Sequence, residues 1–217
     1  MQRIGMLGGT FDPIHLGHLI PAAYAFNHLY LDRLLLVPAA APVHRPGHMP
    51  APAADRLHMC RLAAASLPGL EASDIETRRA EPSYTVLTLR DLRDSVGPEA
   101  ELVLLMGEDN LSTLHTWRDI GEIFRLATVA VLPRPPIGEV DLAPLRRAVG
   151  ADAVDRLLAR IVPAPRVPIK ATEIRRRVAA GEPIDGLVPA SVAAYIAERG
   201  LYRDPQSGAG RQGRCGC

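Results

Sequence analysis

Two histidines and two adjacent glycines near the amino terminus are the residues of this chain best suited to bind a phosphorylated ligand. Gly8 and Gly9 follow an apolar run at residues 4–7 and precede a segment with the apolar spacing of a helix. Glycines at such a turn let a ligand approach the main chain, and the free amides at a helix start lie at the positive end of its dipole. His15 and His18 are three residues apart, so in a first helical turn they would project from one face. Together these features predict a triphosphate site.

Other kinds of site fit this stretch less well. A His-x-x-His pair can arise by chance, and zinc would need further ligands, but no Cys-x-x-Cys pair or third well-spaced histidine follows nearby. We therefore expect no metal site. The stretch also lacks the Gly-Lys-Ser/Thr of a Walker loop and the Gly-x-Gly-x-x-Gly of a dinucleotide fold.

Composition narrows the class of protein further. The chain has 217 residues, enough for one sizeable core, and 47% of them are hydrophobic. A net charge of +1 gives no general attraction to nucleic acid or an anionic membrane, and aromatic residues, at 4%, are too scarce for a base-stacking platform. Three cysteines do not make a disulfide framework, and no signal peptide or membrane-spanning run is evident, so we expect a cytoplasmic protein.

Short apolar runs alternate with segments of helical spacing, which predicts a doubly wound α/β fold with a mainly parallel sheet. Strands are predicted at residues 3–7, 33–38, 70–76, 101–106, 127–132 and 160–163. Helices are predicted at residues 19–29, 55–67, 141–150, 152–159 and 190–199, after Ser83, and near residues 168–175. Ser83 and Thr172 are candidate N-caps, and Pro21 is expected in a first turn, where proline is tolerated.

Two stretches lack periodicity. Residues 39–53 hold four prolines and are expected to form an exposed loop after the second strand, where α/β proteins bind ligands. His44 and Arg45 in that loop could contact phosphate, or could simply be solvated. Residues 203–217 are rich in Gly, Ser, Gln and Arg and are expected to be a disordered tail. This leaves residues 1–202 as a single domain, with a small helical part at about residues 168–202.

Gly9-Thr10-Phe11-Asp12-Pro13 with His15-x-Gly17-His18 resembles the signature of the nucleotidyltransferases that move an adenylyl or cytidylyl group. Later stretches resemble one branch, the bacterial nicotinate-nucleotide adenylyltransferases, in the same order along the chain: Pro42-Val43-His44-Arg45, Ser83-Tyr84-Thr85 with Thr88-Leu89, Gly107-Glu108-Asp109-Asn110-Leu111 with Trp117, residues 169–175, 188–189, 195–196 and 201–202. The resemblance implies a Rossmann-like fold and adenylyl transfer from ATP to nicotinate mononucleotide, giving deamido-NAD in NAD biosynthesis.

The same resemblance implies roles for individual residues. The residues expected to act in catalysis are His15, His18 and Arg175. Those expected to bind ATP are Gly8, Gly9, Thr10, Phe11, Gly17, His18, Arg45, Gly107, Asp109, Lys170, Thr172 and Arg175. Those expected to bind the acceptor are Gly8, Thr10, His44, Tyr84, Thr85 and Trp117, the last by stacking on the pyridine ring. Mg²⁺ is expected to be carried by the nucleotide phosphates, and the expected partners are small molecules, with no nucleic acid or membrane.

The chain departs from the family pattern at two places. Lys170 and Ala171 stand where the family usually has two serines, and Arg45 stands where it commonly has lysine. Lys170 could supply a substitute charge for the lost hydroxyls. Three alternatives therefore stay open: an adenylyltransferase for nicotinamide mononucleotide, one for pantetheine phosphate, or a nucleotide-binding sensor without turnover. Trp117 and Tyr84 could also be packing residues, and Asp109 could bind ribose hydroxyls or cap a helix.

Overall fold

The computed structural model describes residues 1–40, 49–79, 81–134 and 140–203. Its sheet has five parallel strands in the order β3-β2-β1-β4-β5. They are β1 Arg3–Gly9, β2 Arg33–Pro38, β3 Leu70–Ala72, β4 Glu101–Gly107 and β5 Thr128–Leu132. The chain builds outward from β1 in one direction as far as β3 and then crosses to β4 on the other side. Such a switch point opens a crevice at the carboxyl ends of β1 and β4, where ligands of this fold class bind.

Helices cover both faces of the sheet. They are α1 Leu16–His28, α2 Ala53–Ala64, α3 Thr85–Val96, α4 Ile120–Leu126, α5 Ala143–Val149, α6 Ala151–Leu158, α7 Ala171–Ala180 and α8 Ala190–Arg199. Buried residues of α1, α2, α7 and α8 share one hydrophobic cluster, and those of α3, α4, α5 and α6 share the other. None of the helices within the described ranges is both long enough and apolar enough to span a membrane.

The continuous apolar runs of the strands follow from this double cover. In β2, Leu34 and Leu36 enter one cluster while Leu35 and Val37 enter the other, because successive side chains of a strand point to opposite faces. A strand with both faces buried therefore shows no polar alternation. The predicted doubly wound α/β fold is confirmed.

Two predicted strands are wrong in extent. Residues 160–163 form a single bridge to β5, between Val131 and Ile161, and Pro163 has no amide with which to extend it. The strand predicted at residues 70–76 ends at Ala72. Beyond it, Ser73 Oγ accepts the Ile75 amide at 3.4 Å and Thr77 Oγ1 donates to the Asp74 carbonyl at 3.0 Å, so local side-chain bonds replace the ladder.

Predicted helix starts also differ from the structure. Helix α1 begins three residues earlier than predicted, which places Pro21 inside it. The missing Pro21 amide leaves the Gly17 carbonyl without its helical donor, and Arg134 Nη1 donates to that carbonyl at 3.4 Å. Ser83 is not an N-cap, since its Oγ accepts the amide of Ala40 at 2.9 Å instead.

The carboxyl-terminal helices require one further correction. Thr172 is not an N-cap either, because α7 begins at Ala171 and Lys170 takes the cap position. Helix α8 spans the predicted residues 190–199. Of the predicted tail, only Arg203 lies within the described residues.

Gly69 offers a test of packing at the turn before β3. Its φ is +80°, and a Cβ added there would lie 2.2 Å from Phe26 Cζ. We expect Gly69→Ala to lower the free energy of unfolding by about 3 kcal/mol, because backbone strain and a clash act together. Gly181→Ala, at φ +70° with open space around the added methyl, is the matched control and should lose about 1 kcal/mol. Urea unfolding followed by circular dichroism measures both, and equal losses would contradict the packing argument.

Candidate active site

A cavity of about 890 Å³ opens at the carboxyl edge of the sheet, at the switch point. Its wall is formed by the turn after β1, the amino ends of α1, α3 and α7, and the segments after β4 and β5. Most of the residues predicted to bind substrates line this cavity: Gly8, Gly9, Thr10, Phe11, His15, His18, Tyr84, Thr85, Gly107, Asp109, Trp117, Lys170 and Thr172. Stretches that lie far apart in the sequence therefore converge on one space.

The remaining predicted site residues have different positions. Gly17 lies beside the His15 ring, outside the cavity wall. The guanidinium of Arg175 contacts Asp12 instead of lining the cavity: Nη1 donates to the Asp12 carbonyl at 2.7 Å and lies 3.6 Å from Oδ2. The predicted contacts of His44 and Arg45 fall outside the described residues.

The two histidines form a stacked pair at the start of α1. His15 is the N-cap residue, and its ring lies 3.7 Å from that of His18, centroid to centroid, at an interplanar angle of 29°. The rings of His18 and Phe11 are nearly perpendicular, with their centroids 5.1 Å apart. A side chain at Gly17 would come within 2.9 Å of His15 Nδ1 and 3.1 Å of the Ile169 carbonyl, which explains the need for glycine. In the described ranges no group of three His, Cys, Asp or Glu side chains could hold a metal ion.

Burial decides the charge of His15. Desolvation, reinforced by the nearby Arg134 guanidinium, lowers the pKa of His15 from 6.5 to about 3. The imidazole is therefore neutral near pH 7. Its buried Nδ1 has no hydrogen-bond partner among the described residues.

Arg134 is a cavity residue that the sequence analysis missed. It follows β5, its amide donates to Glu108 Oε2 at 3.1 Å, and its Nε lies 3.8 Å from Asp109 Oδ1. Together with the bond to the Gly17 carbonyl, these contacts hold a guanidinium beside the histidine pair. A polar side chain directly after a parallel strand was the available signal, since ligands bind at the carboxyl ends of such strands.

The amino end of α7 offers backbone donors to the cavity. The Lys170 carbonyl accepts the amides of Glu173 and Ile174, whereas the amides of Ala171 and Thr172 donate to no other described residue. Both residues line the cavity, and Lys170 and the Thr172 side chain are exposed beside them. Free amides at the positive end of a helix bind phosphate groups.

At the start of α1 the amides are less available than expected. The Leu16 amide donates to the Leu187 carbonyl at 2.9 Å, and the His18 and Leu19 amides donate to the His15 carbonyl. The side chains of the histidines, more than the helix terminus, therefore offer polar groups to the cavity here.

Aromatic residues of the segments after β4 and before α3 also line the cavity. Trp117 is half-buried: it packs against the apolar cluster of α3 and α4 and also lines the cavity. The Tyr84 ring lies under the Arg118 guanidinium, whose Cζ is 4.9 Å from the ring centre. Both packing and ligand binding are thus compatible with these aromatic residues.

A buried carboxylate joins the turn after β1 to the carboxyl-terminal segment. Asp12 Oδ1 accepts the amide of Ala51 at 3.1 Å and the hydroxyl of Tyr202 at 2.8 Å, and the peptide bond from Asp12 to Pro13 is cis. Burial and the Asp12 carboxylate raise the pKa of the Tyr202 hydroxyl, which stays protonated and donates. No sequence pattern had singled out Asp12 for this role.

Comparisons with known proteins agree with this geometry. A family model described as cytidylyltransferase-like matches residues 6–177. The chain is 47% identical over 203 residues to a protein of Thermomicrobium roseum named probable nicotinate-nucleotide adenylyltransferase, covering 94% of this chain and 92% of that one. It is 42% identical over 210 residues to a protein of the same name from Chromobacterium violaceum, and the match covers 93% of this chain and 99% of that one.

Among solved structures, the fold is similar to that of Plasmodium falciparum nicotinic acid mononucleotide adenylyltransferase complexed with NaAD. The TM-score is 0.71 at 15% sequence identity, covering 93% of this chain and 98% of that one. Similarity at this identity concerns the fold, whereas the bacterial relatives share the sequence over nearly its whole length. The chain therefore belongs to the cytidylyltransferase-like family and, within it, to the nicotinate-nucleotide adenylyltransferases.

Proposed function

We propose that this protein transfers the adenylyl group of ATP to nicotinate mononucleotide, forming deamido-NAD and pyrophosphate. The observation that carries the proposal is one cavity lined both by hydrogen-bond donors and cationic groups suited to phosphate and by the aromatic residues Tyr84 and Trp117. The relatives' names support the same reaction. Because ATP is an intracellular substrate, we place the activity in the cytoplasm.

The reaction requires no covalent enzyme intermediate. An oxygen of the acceptor's 5′-phosphate attacks the α-phosphorus of ATP in line, and the bond from that phosphorus to the oxygen of the departing pyrophosphate breaks. Catalysis then depends on alignment and on stabilising the charge that develops on the α-phosphoryl and pyrophosphate oxygens. Neutral or cationic hydrogen-bond donors are the groups this task needs.

The part of the lining formed by His15, His18, Arg134 and residues 170–172 is here called the phosphate wall, and it supplies such donors. We propose that His18, in the first turn of α1, donates to the α-phosphoryl group, with the neutral His15 ring stacked against it. Arg134 adds a positive charge beside them, and the free amides of α7 with Lys170 suit the β- and γ-phosphates. Arg175 remains a proposed ligand of these outer phosphates, with Asp12 as its partner before the nucleotide binds.

ATP is expected as its magnesium complex. Mg²⁺ binds phosphate oxygens and keeps several of its waters, so it needs few ligands from the protein. We propose that Asp109, exposed after β4 near Arg134, binds the ATP ribose.

The part of the lining formed by Tyr84, Thr85 and Trp117 is here called the aromatic wall, and it suits the acceptor. Trp117 can stack on the pyridine ring, while Tyr84 and Thr85 stand at the start of α3. The Arg118 guanidinium over Tyr84 adds positive charge on this side. Positive charge and hydrogen-bond donors favour a carboxylate over an amide, because an amide presents its own NH₂ to the same donors.

The assay that tests this function supplies excess ATP with each of three acceptors: nicotinate mononucleotide, nicotinamide mononucleotide and pantetheine phosphate. We expect pyrophosphate release with the first and a kcat/KM at least tenfold lower with the others. Preference for either of the other acceptors would replace the proposed substrate. Binding of ATP without pyrophosphate release from any acceptor would indicate a sensor.

His18→Ala tests the charge-stabilising role of the histidine pair. We expect kcat to fall about a hundredfold or more, the usual effect of removing one such donor. His28→Ala, the same substitution on an exposed position at the other end of α1, should leave steady-state turnover unchanged. A kcat near the wild-type value for His18→Ala would remove His18 from the mechanism.

The low pKa of His15 predicts a pH dependence of stability. As pH falls from 6.5 towards 3, the unfolded chain binds the proton before the folded chain does, so stability is lost across that window. Between pH 7.5 and pH 5 we expect this residue to account for a loss of about 2 kcal/mol. Because asparagine cannot titrate, the free energy of unfolding of His15→Asn, measured by urea unfolding, should fall by that much less than the wild-type value over the same pH interval. Equal losses in the two proteins would mean that His15 is not held neutral by burial.

A further inference from the structure

Glu76 is a buried carboxylate in the cavity wall to which the proposed reaction gives no role. It lies in the segment between β3 and α3, its exposure is 5%, and it lines the cavity. Thr88, fully buried on α3, donates its hydroxyl to Glu76 Oε1 at 2.6 Å. Arg79 Nη2 donates in turn to Thr88 Oγ1 at 3.1 Å, and Arg79 Nη1 to Asp91 at 2.6 Å. The carboxylate is therefore held in a defined position.

This carboxylate keeps unused capacity to accept hydrogen bonds. Among the described residues, the hydroxyl of Thr88 is the one side-chain donor to it. A carboxylate offers about four lone-pair sites, and burying its charge is unfavourable unless further donors are supplied. Because Glu76 lines the cavity, a bound substrate can supply them.

We propose that Glu76 binds the ribose hydroxyls of the acceptor mononucleotide. This inference rests on the proposed function and deepens it. The carboxylate and phosphate of nicotinate mononucleotide are anionic and would be repelled by Glu76. The two ribose hydroxyls of the mononucleotide, in contrast, can donate hydrogen bonds to this carboxylate. Pairing an acidic side chain with ribose hydroxyls is also how dinucleotide-binding folds recognise that sugar.

The position of Glu76 points to the acceptor and not to ATP. Its partner Thr88 lies one turn of α3 beyond Tyr84, whose carbonyl is 3.4 Å from Thr88 Oγ1. Tyr84 and Thr85 belong to the wall proposed for the acceptor. Asp109, the carboxylate proposed for the ATP ribose, follows β4, on a different segment of the wall.

The variant that tests this role is Glu76→Gln. Glutamine has nearly the same shape and keeps an amide oxygen for the Thr88 hydroxyl, but its NH₂ cannot accept from ribose. With ATP saturating, we expect the KM for nicotinate mononucleotide to rise about tenfold, the effect of losing a hydrogen bond to a charged group, while kcat and the KM for ATP change less than threefold. Asp74→Asn, the same change at a carboxylate of this segment outside the cavity wall, should leave all three constants unchanged.

Acceptors that lack the 2′- or the 3′-hydroxyl separate ribose binding from a structural role. In the wild-type protein, removing the hydroxyl that Glu76 binds should raise the acceptor KM about tenfold, and in Glu76→Gln the same removal should have little further effect. If the rise in KM from removing the hydroxyl is equally large in Glu76→Gln, so that the two rises multiply, Glu76 only supports the wall and the inference is overturned.

The outcomes remain distinguishable if the variant does not fold. Thermal unfolding establishes whether Glu76→Gln folds, and the wild-type measurements with the two deoxy acceptors stand without it. A wild-type KM that is insensitive to both hydroxyls overturns the inference while turnover of nicotinate mononucleotide sustains the proposed function. No turnover with any acceptor overturns both.

Discussion

The part of the cavity formed by the segment after β1 and the start of α7 depends on the buried carboxylate of Asp12. This side chain joins three separate parts of the chain: the turn after β1, the segment before α2 at Ala51, and Tyr202 after α8. Arg175 of α7 binds the Asp12 carbonyl, so the helix whose free amides face the cavity is anchored to the turn that carries the histidines. A buried carboxylate requires hydrogen-bond partners, and at Asp12 these partners come from segments that are distant in the sequence.

The buried guanidinium of Arg56 stabilises the same region. Arg56 of α2 donates to three main-chain carbonyls, those of Thr10, Ala40 and Ala51, at 2.8, 3.3 and 2.8 Å. These carbonyls lie after β1, after β2 and before α2. Outside strands and helices, a carbonyl has no regular backbone donor, and Arg56 supplies one. Burial lowers the pKa of Arg56, but a guanidinium stays protonated at neutral pH and continues to donate. Side chains thus hold the polar groups at the carboxyl edge, and Gly8 and Gly9 at the end of β1 line the cavity.

Local chemistry made much of the fold predictable. The apolar runs of β1, β2, β4 and β5 and the helix at residues 190–199 are found where the sequence places them. The wrong predictions have different causes: local side-chain bonds end β3 early, whereas a long-range contact takes the Ser83 hydroxyl. Ser83 binds the main chain after β2 instead of capping α3, and α1 begins at Leu16, with His15 as its N-cap residue.

The sequence alone determined the alternation of elements and the chemical type of most cavity residues, because these follow from periodicity and from residue types at short spacing. The turn predicted at Gly8 and Gly9 is wrong, since both residues pair with β2 as the last residues of β1. Only the tertiary structure decided which residues share the cavity and what charge they carry. Arg134 and Glu76 reach it from segments far from the amino-terminal motif, and His15 is neutral because neighbours from other elements bury it. Burial and long-range contact are properties of the folded chain, so no local pattern encodes them.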